Sequence, residues 1–252
     1  MTFSDWIQRR GALRSEGWTE DAADRIVARR LRKTEEIMAE PPAPAIATDD
    51  EIRALLERYR CPVLFHEART RFLGNIATPV ISASPIKTVE SLWGGKLPDF
   101  GSLDAANELI GALIMGLWNR LTRHQERSAP FRLTRPNVAT SREGLASLAL
   151  IRRQELDGFV EGLFGAEEAI DLPERAHRGL GVLGELRALL AGVLDVTTDT
   201  KAASAGDVKG MLRQMQEMTR IAEHEMHEVI LSCKRARRNA LVSLPARKPT
   251  LH

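Results

Sequence analysis

Two histidines in the last predicted helix, His224 and His227, have the types and spacing that come closest to a metal site. Imidazoles three residues apart lie on one face of a helix and can share a metal ion. A metal-dependent enzyme that uses the last two helices is therefore one functional hypothesis. In the helix before the last, Glu174 and His177 match one quarter of the ligand pattern of a di-iron site. Both His224 and His227 also fall opposite the apolar stripe of their helix, which favours a solvated face. We predict no metal and no cofactor.

The two cysteines, Cys61 and Cys233, are the candidate nucleophiles. Cys61 precedes Pro62 at a predicted helix start, where the helix dipole could lower the thiol pKa, whereas Cys233 lies on an apolar stripe. Neither cysteine has a base nearby in the sequence, so structural roles are predicted for both, and no catalytic residue is predicted. Two cysteines far apart are typical of a reducing compartment, and we expect a cytoplasmic protein.

Two runs of basic residues, at 25–33 and 234–238, could bind nucleic acid. The whole chain has 36 Lys and Arg against 34 Asp and Glu, and this balance cannot by itself attract a polyanion. No aromatic residues interleave with the two runs, so solvated faces or cations that complement a helix dipole also explain them. An alternative function is a nucleic-acid-binding regulator that contacts phosphates through Arg25, Arg29, Arg235 and Arg238.

The best boundary in the chain is a proline-rich stretch that contains Pro41, Pro42 and Pro44. Prolines lack the amide donor that a helix needs, so the preceding helix must end here. No stretch approaches the ~20 apolar residues that span a bilayer, so we predict no membrane segment. The predicted organisation is a basic helical arm (1–40), a proline-rich linker (41–47), an all-α domain (48–243) and a loose tail (244–252).

The predicted fold class is all-α, a compact multi-helix bundle. Thr48 with Glu51 and Thr140 with Glu143 have the spacing of capping boxes, and Pro85 sits where first-turn prolines are tolerated. No run of residues alternates between apolar and polar, so no sheet is predicted. Apolar residues surround the 102–124 helix, which predicts a central buried helix, and the last helix has one long apolar face. The predicted helices cover 49–60, 62–76, 85–93, 102–124, 141–164, 173–195 and 206–241.

A turn between the third and fourth helices combines aromatic residues with the pair Gly94 and Gly95. Glycines permit a tight reversal, and a proline within this turn prevents a helix. We predict a structural corner whose outer surface continues to the loop at Phe131 and binds a partner, since aromatic and arginine residues dominate binding hot spots. The alternative is that Phe131 pins its loop to the bundle. The candidate partner-binding residues are Trp93, Phe100, Trp118, Asn119, Phe131 and Arg132.

The middle of the chain carries a family resemblance. It runs from the segment RFLGNIA (71–77) through Ser84-Pro85 and LWGGKLPDF (92–100) to LWN (117–119). This pattern resembles the YgfB/YecA-type family of small bacterial helical proteins. The resemblance implies an all-helical fold, no established catalytic activity and a role in binding other macromolecules. The leading prediction is a non-catalytic interaction or regulatory module with a protein partner, with a homo-oligomer through the C-terminal helix as a further expectation.

Overall fold

A computed structural model describes residues 47–198 and 205–243, and within these ranges the secondary structure is helical with no strand. The all-α fold class is therefore confirmed. A π-helix (Ala112–Trp118) and a 3₁₀ turn (Thr122–Gln125) occur alongside the α-helices. The α-helices are α1 (Asp49–Arg58), α2 (Phe65–Ala77), α3 (Pro85–Ser91), α4 (Leu103–Gly111), α5 (Asn119–Leu121), α6 (Arg142–Phe164), α7 (Glu174–Thr198) and α8 (Ala205–Ser243).

The predicted arm (1–40), all but one residue of the linker (41–47) and the predicted tail (244–252) lie outside the described residues. Arg25 and Arg29 are therefore also outside them. The domain boundaries at these points stay predictions.

Local capping explains where several helices begin. Thr48 and Glu51 form the predicted capping box, in which the Thr48 amide donates to Glu51 Oε2 at 2.7 Å and the Glu51 amide donates to Thr48 Oγ1 at 3.3 Å. Pro85 is the first residue of α3, as predicted. The box predicted at Thr140 is wrong by one residue, because Ser141 is the N-cap of α6 and its hydroxyl accepts a backbone amide.

The helix at the centre of the bundle is α2, rather than the predicted 102–124 helix. Most residues of α2 are buried, and Phe72 and Leu73 are fully inaccessible to solvent. In the 102–124 region, by contrast, Leu103 is 76% exposed and Met115 is 61% exposed. This region is buried along one side only, through Leu109, Leu113 and Leu117.

The backbones of α2 and α6 touch where the two helices cross. At Gly158 an added Cβ would lie only 2.6 Å from the Glu67 carbonyl oxygen, and at Gly74 and Gly162 it would overlap backbone atoms of the facing helix. These three positions therefore exclude every side chain, including a methyl group. The close crossing fixes α2 against α6 in the interior.

The long helix α8 presents the predicted apolar stripe to the rest of the bundle. It packs against α7 and also contacts α2, α6 and the 3₁₀ turn. The stripe is confirmed: Leu212 is partly exposed, and its other members are buried, namely Val208, Met215, Met218, Ala222, Met226, Val229 and Cys233.

Candidate functional site

The basic run at 234–238 splits into two residues that bind the protein and two that do not. The Lys234 ammonium donates to the Gln125 carbonyl at 3.1 Å and pairs with Glu126 at 2.7 Å. Arg237 donates to carbonyl oxygens at the C-terminal end of α2 at 3.2 and 3.1 Å. Arg235 and Arg238 are exposed and have no hydrogen bond or ion pair to any residue that the structure describes.

Arg235 and Arg238 line a groove together with Arg127, which comes from the turn after the 3₁₀ helix. The groove has a volume of about 260 Å³. Arg127 is likewise exposed and unpaired within the described part of the chain. We call this surface the basic groove and define it by Arg127, Lys234, Arg235 and Arg238. Lys234 and Arg237 hold α8 against the turn that carries Arg127. The backbone positions of the three arginines that have no described partner are therefore fixed relative to one another.

The chemistry of the basic groove is anion binding. Each guanidinium offers five N–H donors in a planar fork that fits two oxygens of a phosphate, and no described partner occupies these donors. The only carboxylate among the described lining residues, Glu126, is already paired with Lys234. Sequence reasoning found Arg235 and Arg238 but missed Arg127, because a lone arginine in a turn gives no pattern.

The corner predicted at Trp93 packs against the end of α1. The Trp93 indole N–H donates to the Tyr59 carbonyl at 3.0 Å, and the Phe100 ring meets the Tyr59 ring edge-on at 5.4 Å. Gly94 and Gly95 have φ values of 73° and 98°, which confirms the tight reversal and its need for glycine. Trp93 and Phe100 are both partly exposed, so their partner role stays a prediction.

Trp118 and Asn119 lie where the π-helix ends and α5 begins. The Trp118 indole N–H donates to Asn75 Oδ1 of α2 at 3.1 Å, which ties the π-helix to the central helix. Asn119 is exposed, and its amide lies 3.8 Å from the Met115 sulfur. The structure therefore gives Trp118 a packing role, and Asn119 remains accessible.

Phe131 is the clearest correction to the predicted partner site. Its side chain is fully buried, with the Arg69 guanidinium 4.5 Å from the ring centroid and the His124 ring edge-on at 5.2 Å. A buried ring cannot contribute to a binding surface, so Phe131 pins its loop to the bundle. Arg132 is exposed, but it pairs with Glu223 at 2.7 Å.

A buried charge cluster, which sequence reasoning missed, holds the non-helical segment 130–139 in place. We define the cluster by its buried members Arg152, Glu155 and Glu223, together with two exposed arginines, Arg132 and Arg135, that pair with Glu223. Glu223 accepts the Leu133 amide at 2.9 Å, and Glu155 accepts the Thr134 amide at 2.8 Å. Both carboxylates are buried, with side-chain exposures of 2% and 1%. The segment thus depends on side chains for backbone hydrogen bonds that a helix or strand would supply itself.

The predicted metal pair is divided between two environments. His224 is exposed, as predicted, whereas His227 is buried and neither ring nitrogen has a hydrogen-bond partner among the described residues. The prediction for His227 was wrong because α8 is covered on more than one side, so the buried arc is wider than the apolar stripe. No group of three potential metal ligands occurs in the part of the chain that the structure describes. The metal hypothesis therefore gains no support from the structure.

Both cysteines sit in environments that suppress thiolate formation. Burial raises the pKa of Cys233 to about 12 and also raises the pKa of Cys61. Helix α2 begins at Phe65, so Cys61 precedes it by a full turn and the expected dipole effect is absent. The Cys61 thiol lies 3.6 Å from the Leu92 carbonyl oxygen. These contacts fit the predicted structural roles of the two thiols.

The stability of the protein should depend on pH through His124. Burial lowers the His124 pKa, and Arg123, Arg69 and His227 add to the decrease, although a bond to the Ala129 carbonyl opposes it. The unfolded chain therefore takes up a proton first, as pH falls below the ordinary histidine value of about 6.5. We expect the free energy of unfolding to be lower at about pH 5.5 than at about pH 7.5, as measured by urea denaturation.

The control compares two histidine variants. His124→Gln should reduce this pH dependence, while His224→Gln, at an exposed position, should leave it unchanged. An unchanged pH dependence in His124→Gln would contradict the assignment.

Comparison with known proteins identified no relative of this chain. No family model, curated protein or solved structure matches the chain. The resemblance to the YgfB/YecA-type family therefore stays a prediction. In the described residues, no helix is both long enough and apolar enough to cross a membrane.

Proposed function

We propose that the protein is a non-catalytic interaction module that binds nucleic acid through the basic groove. The observation that supports this proposal is the set of three exposed guanidiniums, Arg127, Arg235 and Arg238, around one groove without a described partner. Surface arginines elsewhere in the described chain are commonly ion-paired, as in Arg58 with Glu108 and Arg187 with Asp157. The basic groove is thus a local excess of positive charge in a chain that is nearly neutral.

The geometry favours contact with the phosphate backbone over reading of bases. No described aromatic residue lines the groove, so there is no platform on which bases could stack. Arginine contacts to phosphates give affinity that depends little on sequence and falls steeply as salt rises. The expected partner is therefore nucleic acid in general, bound by its backbone.

A protein partner is the leading expectation from sequence, and two observations reduce the support for it. Phe131 and Arg132 do not form the predicted binding surface, because the Phe131 ring is buried and Arg132 is ion-paired. The apolar face of α8 is buried within the chain, so a homo-oligomer through this helix would have to use its exposed side. A protein partner at Trp93 and Phe100 and such a homo-oligomer both stay predictions.

Binding of a fluorescein-labelled oligouridine, followed by fluorescence anisotropy, tests the proposal. We expect binding at low salt whose logarithmic affinity falls with the logarithm of salt concentration by about 0.7 for each phosphate contacted. The double variant Arg235→Gln/Arg238→Gln should bind more weakly and lower that slope by about 1.4, since two contacts are lost.

A matched control is Arg58→Gln/Arg178→Gln, which removes the same charge from two exposed arginines that are ion-paired. Its affinity and salt dependence should equal those of the unaltered protein. If oligouridine does not bind at low salt, or if both double variants bind equally well, the proposal is wrong.

A further inference from the structure

A second cleft, remote in sequence from the basic groove, lies among α6, the segment 130–139 and the first half of α8. Its volume of about 540 Å³ falls within the ~300–1,000 Å³ range of small-molecule sites. Arg135, Arg152 and Arg220 line it, and none of its described lining residues carries a carboxylate. We call it the arginine cleft and define it by these three arginines.

The charges behind the arginine cleft do not cancel. Arg132, Arg135 and Arg152 pair with only two carboxylates, Glu155 and Glu223, so the cluster has one positive charge in excess, shared by the exposed side chains of Arg132 and Arg135. Arg220 is the third guanidinium that lines the cleft, and its pair with Glu217 joins two exposed side chains. Exposed pairs of this kind are weak in water, so Arg220 can turn towards a ligand at small cost.

Arg152 contributes a guanidinium in a fixed orientation to the wall of the cleft, with its charge balanced by Glu155. Its side chain is 5% exposed. Three of its five N–H donors are used, by Thr219 Oγ1 at 3.0 Å, by Glu155 and by the Thr134 carbonyl. These bonds hold the guanidinium in one orientation, and a group held in place loses little entropy when a ligand binds.

The remaining wall is partly apolar. Val138, Leu148 and Leu212 line the cleft beside the arginines. An anion alone would leave these side chains uncovered, and an apolar molecule alone would leave the unused N–H donors of Arg135 and Arg220 without an acceptor. We propose that the arginine cleft binds a small molecule in which a carboxylate or phosphate is joined to an apolar body.

Phenyl phosphate is a suitable probe, and titration calorimetry on the full chain measures its binding. We expect one saturable site for phenyl phosphate, weaker binding of inorganic phosphate and no measurable binding of phenol. This order follows because the phosphate meets the arginines and the ring covers the apolar wall. Equal binding of phenyl phosphate and inorganic phosphate, or no binding of either, overturns the proposal.

Two variants address the cleft by different means. Arg220→Gln removes an exposed donor and should weaken phenyl phosphate binding about tenfold, the loss of one charge-assisted hydrogen bond. Gln216→Trp places a bulky ring at an exposed lining position without changing the charge, and should abolish binding. Circular dichroism would verify that both variants fold. Unchanged affinity in both overturns the proposal.

Matched controls separate this site from the basic groove. Arg178→Gln changes the same charge at an exposed position on α7, and should bind phenyl phosphate normally. Arg235→Gln/Arg238→Gln should also retain phenyl phosphate binding while weakening oligouridine binding. If the phenyl phosphate site is lost in the Arg235→Gln/Arg238→Gln variant and kept in Arg220→Gln, the ligand belongs to the basic groove and the proposal fails.

Discussion

Replacement of Glu223 by Ala is expected to lower the free energy of unfolding by about 3 kcal/mol. The change leaves the Leu133 amide without its acceptor and opens a space beneath the segment 130–139. Removal of one partner from a buried ion pair costs about 3–5 kcal/mol. We expect the low end of that range because Arg132 and Arg135, with side chains 64% and 57% exposed, can regain hydrogen bonds from water.

Urea denaturation followed by circular dichroism measures this effect, and Glu217→Ala is its control. Glu217 lies on the same helix and pairs with Arg220, but its side chain is 63% exposed. Its loss should change the free energy of unfolding by no more than about 0.5 kcal/mol. A cost below about 1 kcal/mol for Glu223→Ala would show that the buried cluster contributes little to stability.

Replacement of Gly162 by Ala should destabilise the protein by about 3 kcal/mol or more, although it adds a single methyl group. The added Cβ would overlap the Arg71 carbonyl oxygen, and backbone atoms cannot move aside as a flexible side chain can. Relief requires α2 and α6 to separate along their crossing, which would loosen the most buried helix of the bundle. Thermal and urea unfolding both report this loss.

Gly181→Ala is the matched control for Gly162→Ala. Gly181 lies within α7 and has open space around the position of an added Cβ. Alanine is a better helix former than glycine, so this variant should be more stable by about 0.5–1 kcal/mol. Opposite signs for the two glycine variants would confirm that the crossing, and not helix propensity, controls the effect. If Gly162→Ala is also stabilising, the crossing is looser than the structure shows.

The sequence predicted the order and approximate bounds of the helices because their ends are marked by local signals. Thr48 with Glu51 and Pro85 act within a single turn, so neighbouring residues are enough to place them. The apolar face of α8 was predictable for a similar reason, since its period appears directly in the sequence. The glycine pair at 94 and 95 also kept its expected role.

The buried polar residues could not be assigned in this way. Burial of His227 and Glu223 depends on which distant segments cover α8, and the sequence of one helix does not contain that information. One clue to the buried charge cluster was present: no Asp or Glu occurs between Arg127 and Arg142, although Arg132 and Arg135 lie within that stretch. Such a segment must find its carboxylates elsewhere. For the same reason the arginine cleft had no sequence signal, because it is assembled from three separate segments.

Dependence of the segment 130–139 on distant side chains sets when it can become ordered during folding. The Leu133 amide and its acceptor Glu223 are 90 residues apart in the chain, and the bond to Glu155 spans 21 residues. Closure of the longer loop costs entropy before any bond is gained, so helices α6 and α8 must associate first. The segment should therefore order late, after the transition state. Its interactions would then slow unfolding and leave the folding rate nearly unchanged, which makes the buried charge cluster a source of kinetic stability.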